Sequence, residues 1–263
     1  MGNIRLKNLK FSYDTDTVIF KDLDFYLRKG KTLSIIGESG SGKTTLLKIL
    51  NGELNYEGEV IVNGLDVNEE NFDALRKVIA VVYKDTSFIN ETVKEELKCS
   101  LENMNISPDK ITEKIKELNE YFNINKILNK SIDNLTRNDQ VLVKILSYAL
   151  MEPSYLALDD LLIYLNTRTK ILLLNYLNSK NIMLINVTSN MEDVLYTDYI
   201  LCLYKGISAI DGKTLDVLKE EKVLKRLGFS LPFMVDISIQ LKLYDLIKKI
   251  YLNKEEMVKN LWK

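Results

Sequence analysis

The chain has 263 residues, enough for one large domain or for a domain with an appendage. Its formal net charge of -1 includes no basic excess, so nucleic acid is not expected as a partner. The chain contains no histidine, which excludes histidine ligands, bases and switches, and two distant cysteines, Cys99 and Cys202, indicate neither a disulfide framework nor a metal site.

The first predicted elements are two strands. Apolar and polar residues alternate over residues 3–11 and 20–27, a period typical of half-exposed antiparallel strands. Tyr13 follows the first strand, and its ring is either a stacking partner for a nucleotide base or an ordinary strand-edge side chain. The N-terminus lacks a signal-peptide pattern and no apolar run approaches the roughly 20 residues that span a bilayer, so we expect no direct membrane insertion.

A glycine-rich turn follows the apolar stretch 31–36 and leads into a helix that begins near Lys43. Residues 37–44 fit G-x-x-x-x-G-K-[ST] in the strand-loop-helix context of a phosphate-binding loop, the P-loop. Its backbone N–H groups and the helix N-terminus would cradle phosphates, Lys43 would reach the β- and γ-phosphates, and the Thr44 hydroxyl would ligate Mg²⁺. The predicted nucleotide-binding residues of this segment are Gly37, Glu38, Ser39, Gly40, Ser41, Gly42, Lys43, Thr44 and Thr45.

The middle of the chain is predicted to be mainly helical. Strands are expected at residues 59–63 and 78–83, joined by a polar connection. An inserted helical subdomain then spans about residues 84–151. Its helices are expected at residues 91–97, from the cap at Ser107 to about Phe122, and from after Asn138 to Met151.

Buried strands are predicted at residues 155–160, 182–187 and 199–204, which with the intervening helices indicate an α/β core with a mainly parallel sheet. Beyond Gly212 the pattern is helical only, and the last helix has an Asn253 cap with Glu256 three residues on, and Met257, Leu261 and Trp262 on one side. These apolar faces either pack on their own domain or form a dimer face. We divide the chain into a nucleotide-binding domain, residues 1–218, and a helical extension, residues 219–263.

Two carboxylates, Asp159 and Asp160, end the apolar strand that begins at Tyr155. Asp159 would hold Mg²⁺ through water, and Asp160 lies where a general base could orient an attacking water. A P-loop, a helical insertion and this pair, in that order, resemble the ABC-transporter ATPases. The resemblance implies a P-loop NTPase fold of ABC type, with a mainly parallel core sheet, an antiparallel β subdomain and a helical subdomain, and it makes Tyr13 the adenine-stacking aromatic.

Three further stretches, residues 92–105, 227–233 and 254–262, resemble the ATP-binding subunits of the energy-coupling-factor (ECF) vitamin and metal-ion transporters. This resemblance implies a peripheral ATPase on the cytoplasmic face of the membrane, docked under an integral membrane transport component. It also implies head-to-tail pairing with a second ABC ATPase, with the C-terminal helices helping to hold the pair.

The chain departs from the family at the positions that should carry hydrolysis. Lys84 replaces the Q-loop glutamine, Thr136, Arg137 and Asn138 occupy the signature positions and leave it without its glycines, and Asp160, Asn166 and Ser189 replace the catalytic glutamate, the D-loop aspartate and the switch histidine. Loss of a positioned base costs roughly 10²–10⁴ in rate. We therefore expect slow or absent hydrolysis at this chain's own site.

Each of these substitutions can also be interpreted as purely structural. Thr136 with Asp139, and Ser189 with Glu192, have capping-box spacing and would then only start helices. Lys84 is either solvated or close to Asp159. At the level of function, the competing interpretations are a weak ATPase whose partner supplies the missing groups, a non-catalytic ATP-gated scaffold, and a soluble non-transport ABC protein.

Overall fold

The computed structural model describes residues 3–261 and contains two sheets. The larger sheet has six strands in the order β10-β9-β3-β8-β7-β6. Their bounds are β3 Leu33–Gly37, β6 Ile79–Val82, β7 Tyr155–Asp159, β8 Met183–Val187, β9 Tyr199–Tyr204 and β10 Ile207–Lys213. All pairs are parallel except β9 with β10. Every residue of β3, β6 and β7 is buried, because helices cover both faces of a parallel sheet.

The smaller sheet is antiparallel and has the order β2-β1-β4-β5. Its strands are β1 Ile4–Ser12, β2 Val18–Leu27, β4 Glu57–Val62 and β5 Leu65–Asp66. The apolar face packs on helix α1, Lys43–Leu50, in one hydrophobic cluster that also includes residues of β3, β7, β8 and β9. This shared core fixes the P-loop, which precedes α1, between the two sheets.

Three helices fill the range predicted for the helical subdomain. They are α3 Val93–Asn103, α4 Pro108–Phe122 and α5 Arg137–Ala149, and they follow a short helix α2, Phe72–Val78. The helix α3 is longer than the predicted segment 91–97 and starts at Thr92, whose side chain accepts a hydrogen bond from the Glu95 N–H. Ser107 precedes α4 as expected, although its side chain makes no capping hydrogen bond.

The structure also contains elements to which the sequence analysis gave no bounds. The helix α2 lies in the connection described above as polar, β10 adds an antiparallel edge strand, and α6 spans Thr167–Ser179. Asn166 caps α6 by accepting a hydrogen bond from the Thr169 N–H at 2.9 Å. Leu173, Tyr176 and Leu177 of α6 are buried at helical spacing, but the apolar run of residues 171–174 continues onto the exposed side at Ile171, which hides that period in the sequence.

The C-terminal residues form helices only, as predicted: α7 Thr214–Lys219, α8 Glu221–Arg226, α9 Phe233–Leu243 and α10 Lys254–Leu261. The predicted cap of the last helix is confirmed, since the Glu256 N–H donates to Asn253 Oδ1 at 2.8 Å. Trp262, expected on the same helix, lies outside the described residues. None of the helices between residues 3 and 261 is both long and apolar enough to cross a membrane.

A buried ion pair joins α6 to the 3₁₀ turn Met191–Tyr196. Lys170 Nζ lies 2.6 Å from Asp193 Oδ1, and both side chains are at most 10% exposed. Asp193 also accepts a hydrogen bond from the Asn190 side chain at 3.3 Å. The pair therefore fixes this turn, which follows β8, against the helix that follows β7.

Removing only one charge of this pair should be costly, because the other charge would stay buried without compensation. We expect Lys170→Met to lower the free energy of unfolding by about 3–5 kcal/mol, and Lys170→Met combined with Asp193→Leu to lower it less. Lys219→Met, which breaks an exposed pair with Asp216, should change it far less than Lys170→Met does, because solvent screens exposed charges. Urea unfolding measures all three, and a double variant as unstable as the single one would contradict the assignment.

Candidate nucleotide-binding site

The P-loop backbone is packed so closely that two of its glycines have no room for a side chain. A Cβ on Gly37 would lie 2.3 Å from Ser41 Oγ and 2.7 Å from the Leu203 carbonyl oxygen. A Cβ on Gly42 would lie 2.6 Å from Ile19, at a φ of +96° that disfavours other residues. The turn is thus held tightly between β9 and β2, at the carboxyl end of β3.

The loop has the features of an anion cradle. Gly42 precedes α1 and supplies no side-chain cap, and the first turn of α1 contains no acidic residue. The Ser41 hydroxyl is buried and has no hydrogen-bond partner among the described residues. Uncapped N–H groups, the positive end of the helix dipole and an unpaired buried hydroxyl fit a bound phosphate chain.

Lys43 lies at the mouth of this cradle. Its Nζ donates hydrogen bonds to the carbonyl oxygens of Gly37 and Glu38, both at 2.8 Å. Burial lowers the pKa of Lys43, and the carboxylates of Asp160 and Asp159 act in the opposite direction. The ammonium group therefore lies between the loop and the two carboxylates, where a phosphate would be an additional counter-charge.

The two predicted magnesium ligands are in direct contact. Thr44 Oγ1 donates a hydrogen bond to Asp159 Oδ2 at 2.8 Å, although the residues are 115 positions apart. Burial raises the pKa of the Asp159 carboxyl, the hydrogen bond from Thr44 lowers it, and the neighbouring Asp160 raises it further. A hydroxyl and a carboxylate are hard oxygen ligands of the kind that Mg²⁺ binds, so the pair fits the ion.

Asp160 and Ser189 also meet. Ser189 donates from both its N–H and its hydroxyl to Asp160 Oδ1, each at 3.3 Å. Asp160 has a φ of +56°, because the backbone turns sharply as β7 ends. The carboxylate in the general-base position is thus held by the residue in the switch position, and both lie at the carboxyl edge of the parallel sheet.

One of the two predicted capping boxes is confirmed and the other is wrong. Thr136 Oγ1 accepts from the Asp139 N–H at 3.2 Å and caps α5. By contrast, Asn190 rather than Ser189 caps the 3₁₀ turn, accepting from the Glu192 N–H at 3.1 Å. The Ser189 hydroxyl is engaged by Asp160 instead, because the two strand ends lie side by side.

The other predicted residues occupy the periphery. Tyr13 is half exposed, donates or accepts a 3.1 Å hydrogen bond with Thr45 Oγ1, and packs edge-on against Phe11. Lys84 is exposed in the turn after β6 and forms no ion pair with any described residue. The carboxylate of Asp85, in contrast, raises the pKa of Asp159.

The signature segment is bound to its own chain by contacts that sequence reasoning missed. The Arg137 guanidinium carbon lies 4.7 Å from the centre of the Tyr164 ring, and Asn138 Oδ1 accepts from the Asn166 N–H at 3.0 Å. The one sequence feature that pointed to these contacts was the alignment of Asn166 with the D-loop aspartate of the family. The substituted side chains thus join the start of α5 to the turn before α6.

A groove of about 1010 Å³ lies beside α2, α3 and α5, away from the P-loop. A buried cation and a buried anion fix its rim: Lys144 Nζ donates to the Thr86 carbonyl oxygen, and Glu96 Oε2 accepts from the Ile89 N–H at 3.1 Å. Ile89 itself is 79% exposed at this rim. No sequence motif indicated the groove, because its lining comes from three separate helices.

Gly37→Ala should impair nucleotide binding and stability together, because the methyl group would clash with the Leu203 carbonyl oxygen. We expect a loss of about 1–3 kcal/mol in the free energy of unfolding and weaker Mg-ATP binding by calorimetry. Gly64→Ala is the matched control: its φ is +82° but its Cβ would meet nothing within 4 Å. That variant should bind nucleotide normally, and normal binding by Gly37→Ala would contradict the close-packed cradle.

Comparison with known proteins agrees with this geometry. The family model described as "ABC transporter" matches residues 20–162, more than half of the chain. An energy-coupling factor transporter ATP-binding protein EcfA1 of Mycoplasmopsis synoviae is 29% identical, with 89% of this chain and 92% of that protein covered. The EcfA protein of Malacoplasma penetrans is 27% identical, with 98% and 92% covered.

Among solved structures, cbiO1 from Clostridium perfringens, described as part of the ABC transporter complex cbiONQ, has the same fold. Its TM-score is 0.74 at 22% sequence identity, with 91% of this chain and 98% of that chain covered. The predicted fold class and the predicted resemblance are both confirmed. By its P-loop, its Thr44–Asp159 contact and its match over residues 20–162, the chain belongs to the ABC transporter family.

Proposed function

We propose that this chain is the ATP-binding subunit of an ECF-type importer and binds Mg-ATP in a head-to-tail pair with a second ABC ATPase. The observation that carries the proposal is the contact of Thr44 with Asp159 at the mouth of the P-loop. Relatives that match along most of the chain are energy-coupling factor transporter ATP-binding proteins, which supports the choice of transporter type.

Each part of the nucleotide would have its own residues. The P-loop N–H groups and Lys43 would hold the phosphates, Tyr13 would stack on the base, and Thr44 with Asp159 would hold Mg²⁺. Bound Mg²⁺ would neutralise charge on the β- and γ-phosphates. Tyr13 already lies against the helix that follows the P-loop, through its contact with Thr45, so the base and phosphate positions are adjacent.

Hydrolysis at the chain's own site is proposed to be weak or absent. The carboxylate of Asp160 is one methylene shorter than glutamate and is engaged by Ser189, while Lys84 is exposed and outside ion-pair distance of the carboxylates. Each defect would lower the rate, but such losses are not additive. If hydrolysis is absent at both sites of the pair, the chain is a non-catalytic ATP-gated scaffold, which we retain as the second candidate.

Two surfaces are proposed to hold the partners. In the C-terminal extension, Phe233, Leu243, Tyr244 and Leu246 are each more than 60% exposed, a density of apolar side chains that supports a role of residues 219–263 in dimerisation. The groove beside α2, α3 and α5 has an apolar rim at Ile89 and would receive a cytoplasmic segment of the integral membrane component. The chain would then act as a peripheral subunit on the cytoplasmic face.

Lys43→Ala tests the nucleotide site. Removing a charge-assisted contact to phosphate should weaken Mg-ATP binding by about 10–100-fold in calorimetry. Lys48→Ala, a lysine in the last turn of the same helix, is the control and should bind normally. Wild-type protein without measurable Mg-ATP binding would refute the proposal.

The heterodimer should contain two unequal sites. One joins this chain's P-loop, Asp160 and Ser189 to the partner's signature, and the other joins the partner's P-loop to Thr136, Arg137 and Asn138. Stacking on Tyr164 occupies the face of the Arg137 guanidinium, while its in-plane N–H groups make no hydrogen bond to other described residues and remain available for phosphate. We therefore assign residual turnover to the second site.

This assignment predicts opposite effects of two variants on the ATPase rate of the purified heterodimer. Asp160→Asn should change the rate little, whereas Arg137→Ala should nearly abolish it. Arg168→Ala, which removes an exposed arginine at the start of α6, controls for loss of charge alone. Hydrolysis that stops in Asp160→Asn and continues in Arg137→Ala would make this chain the catalytic subunit.

A further inference from the structure

A single short segment connects the nucleotide site to the C-terminal extension. We call residues 189–196 the switch segment. At one end, Ser189 donates two hydrogen bonds to Asp160. On its opposite side, Met191 and Val194 are buried in one hydrophobic cluster with Leu227 and Val235, outside the nucleotide-binding domain as we divide the chain.

The contact at the far end of this segment is polar and specific. Glu192 Oε1 accepts a hydrogen bond from the Phe233 N–H at 2.7 Å. Phe233 is the first residue of α9, and Pro232 before it has no side chain that can cap the helix. Glu192 therefore acts as the N-terminal cap of α9 from a distant part of the chain, and its negative charge lies at the favourable end of the helix dipole.

The switch segment is stiff enough to transmit a displacement. Asn190 caps its 3₁₀ turn through the Glu192 N–H, and Asp193 is held by the buried Lys170 ammonium. Ser189 and Glu192 are thus joined by a short, hydrogen-bonded piece of backbone. A change in the position of Ser189 relative to Asp160 would also move the Glu192 carboxylate. Only two residues lie between Ser189 and Glu192, and a hydrogen bond closes the turn that joins them.

The extension approaches the site at a second point. A Cβ built on Gly228 would lie 3.9 Å from Glu38 Oε1, in the P-loop. The turn before α9 therefore lies beside the phosphate cradle, while the start of α9 is held by the switch segment. The C-terminal extension is therefore a neighbour of both the P-loop and the switch segment.

We propose that Glu192 is a positioning residue that couples nucleotide binding at the P-loop to the order of α9. Bound nucleotide would restrict the P-loop and the Asp160–Ser189 edge, which would hold Glu192 in its capping position and lower the cost of ordering α9. The inference rests on the proposed nucleotide site and adds a regulatory output to it. When nucleotide is bound, the exposed apolar side chains of α9 and of the residues around it would then hold one conformation.

Hydrogen exchange on the full-length chain, with and without Mg-ATP, tests the coupling. In wild type, Mg-ATP should raise the protection of amides in residues 233–243 by about fivefold or more, the usual lower range of a coupling between sites. Glu192→Ala should remove this increase, and Glu192→Gln, which keeps an acceptor oxygen, should retain part of it. The control is Glu220→Ala, an exposed glutamate of the extension whose side chain makes no hydrogen bond to a described residue, and it should behave as wild type.

Coupling is reciprocal, so calorimetry supplies an independent readout. Mg-ATP affinity should fall in Glu192→Ala and stay unchanged in Glu220→Ala, because an element whose order is favoured by nucleotide must in turn favour nucleotide binding. Measurable Mg-ATP binding with equal protection increments in wild type and Glu192→Ala would overturn the inference alone. Absence of Mg-ATP binding in wild type would overturn the inference and the proposed function together.

Discussion

The hydrogen bond from Thr44 to Asp159 is the contact on which the site depends. It joins the first turn of α1 to the end of β7, and so brings together two parts of the chain separated by the whole helical subdomain. The contact is possible because β3 and β7 are both paired to β8 in parallel, so their carboxyl ends meet at one edge. The candidate phosphate cradle, the proposed metal ligands and the carboxylate pair all follow from that alignment.

The parts of the site are unequally preserved. The cradle is closed to any Cβ at Gly37 and Gly42, so its sequence has little freedom if the turn is to form. The residues at the proposed hydrolytic positions have partners in their own chain: Ser189 donates to Asp160, Arg137 stacks on Tyr164 and Asn138 accepts from Asn166. The substituted side chains are thus accommodated by the fold, as the proposal of a subunit that binds nucleotide with weak or absent hydrolysis requires.

Four buried charges outside the site have structural consequences for function. Lys144 and Glu96 hold the loop of residues 86–90 from opposite sides, and Lys170 with Asp193 holds the switch segment. Isolated buried charges are costly unless they are paired or hydrogen-bonded, and all four have partners. They make rigid two of the segments that contact the groove and the C-terminal extension.

The sequence by itself determined the P-loop, the strand ending in Asp159, the helical subdomain and the all-helical C-terminal extension, because each rests on local spacing or on short-range capping such as Asn253 with Glu256. It located neither α2 nor β10, and it gave no bounds to α6, because the apolar run of residues 171–174 continues from the buried face of that helix onto its exposed side. Local spacing also suggested Ser189 as a helix cap, whereas its hydroxyl donates a hydrogen bond to Asp160 and caps no helix.

Only the tertiary structure decided the contacts of Glu192 with Phe233, of Arg137 with Tyr164 and of Lys144 with Thr86. In each case the partners are far apart in the chain and meet because parallel strand ends and packed helices converge in space. No local spacing encodes such a meeting.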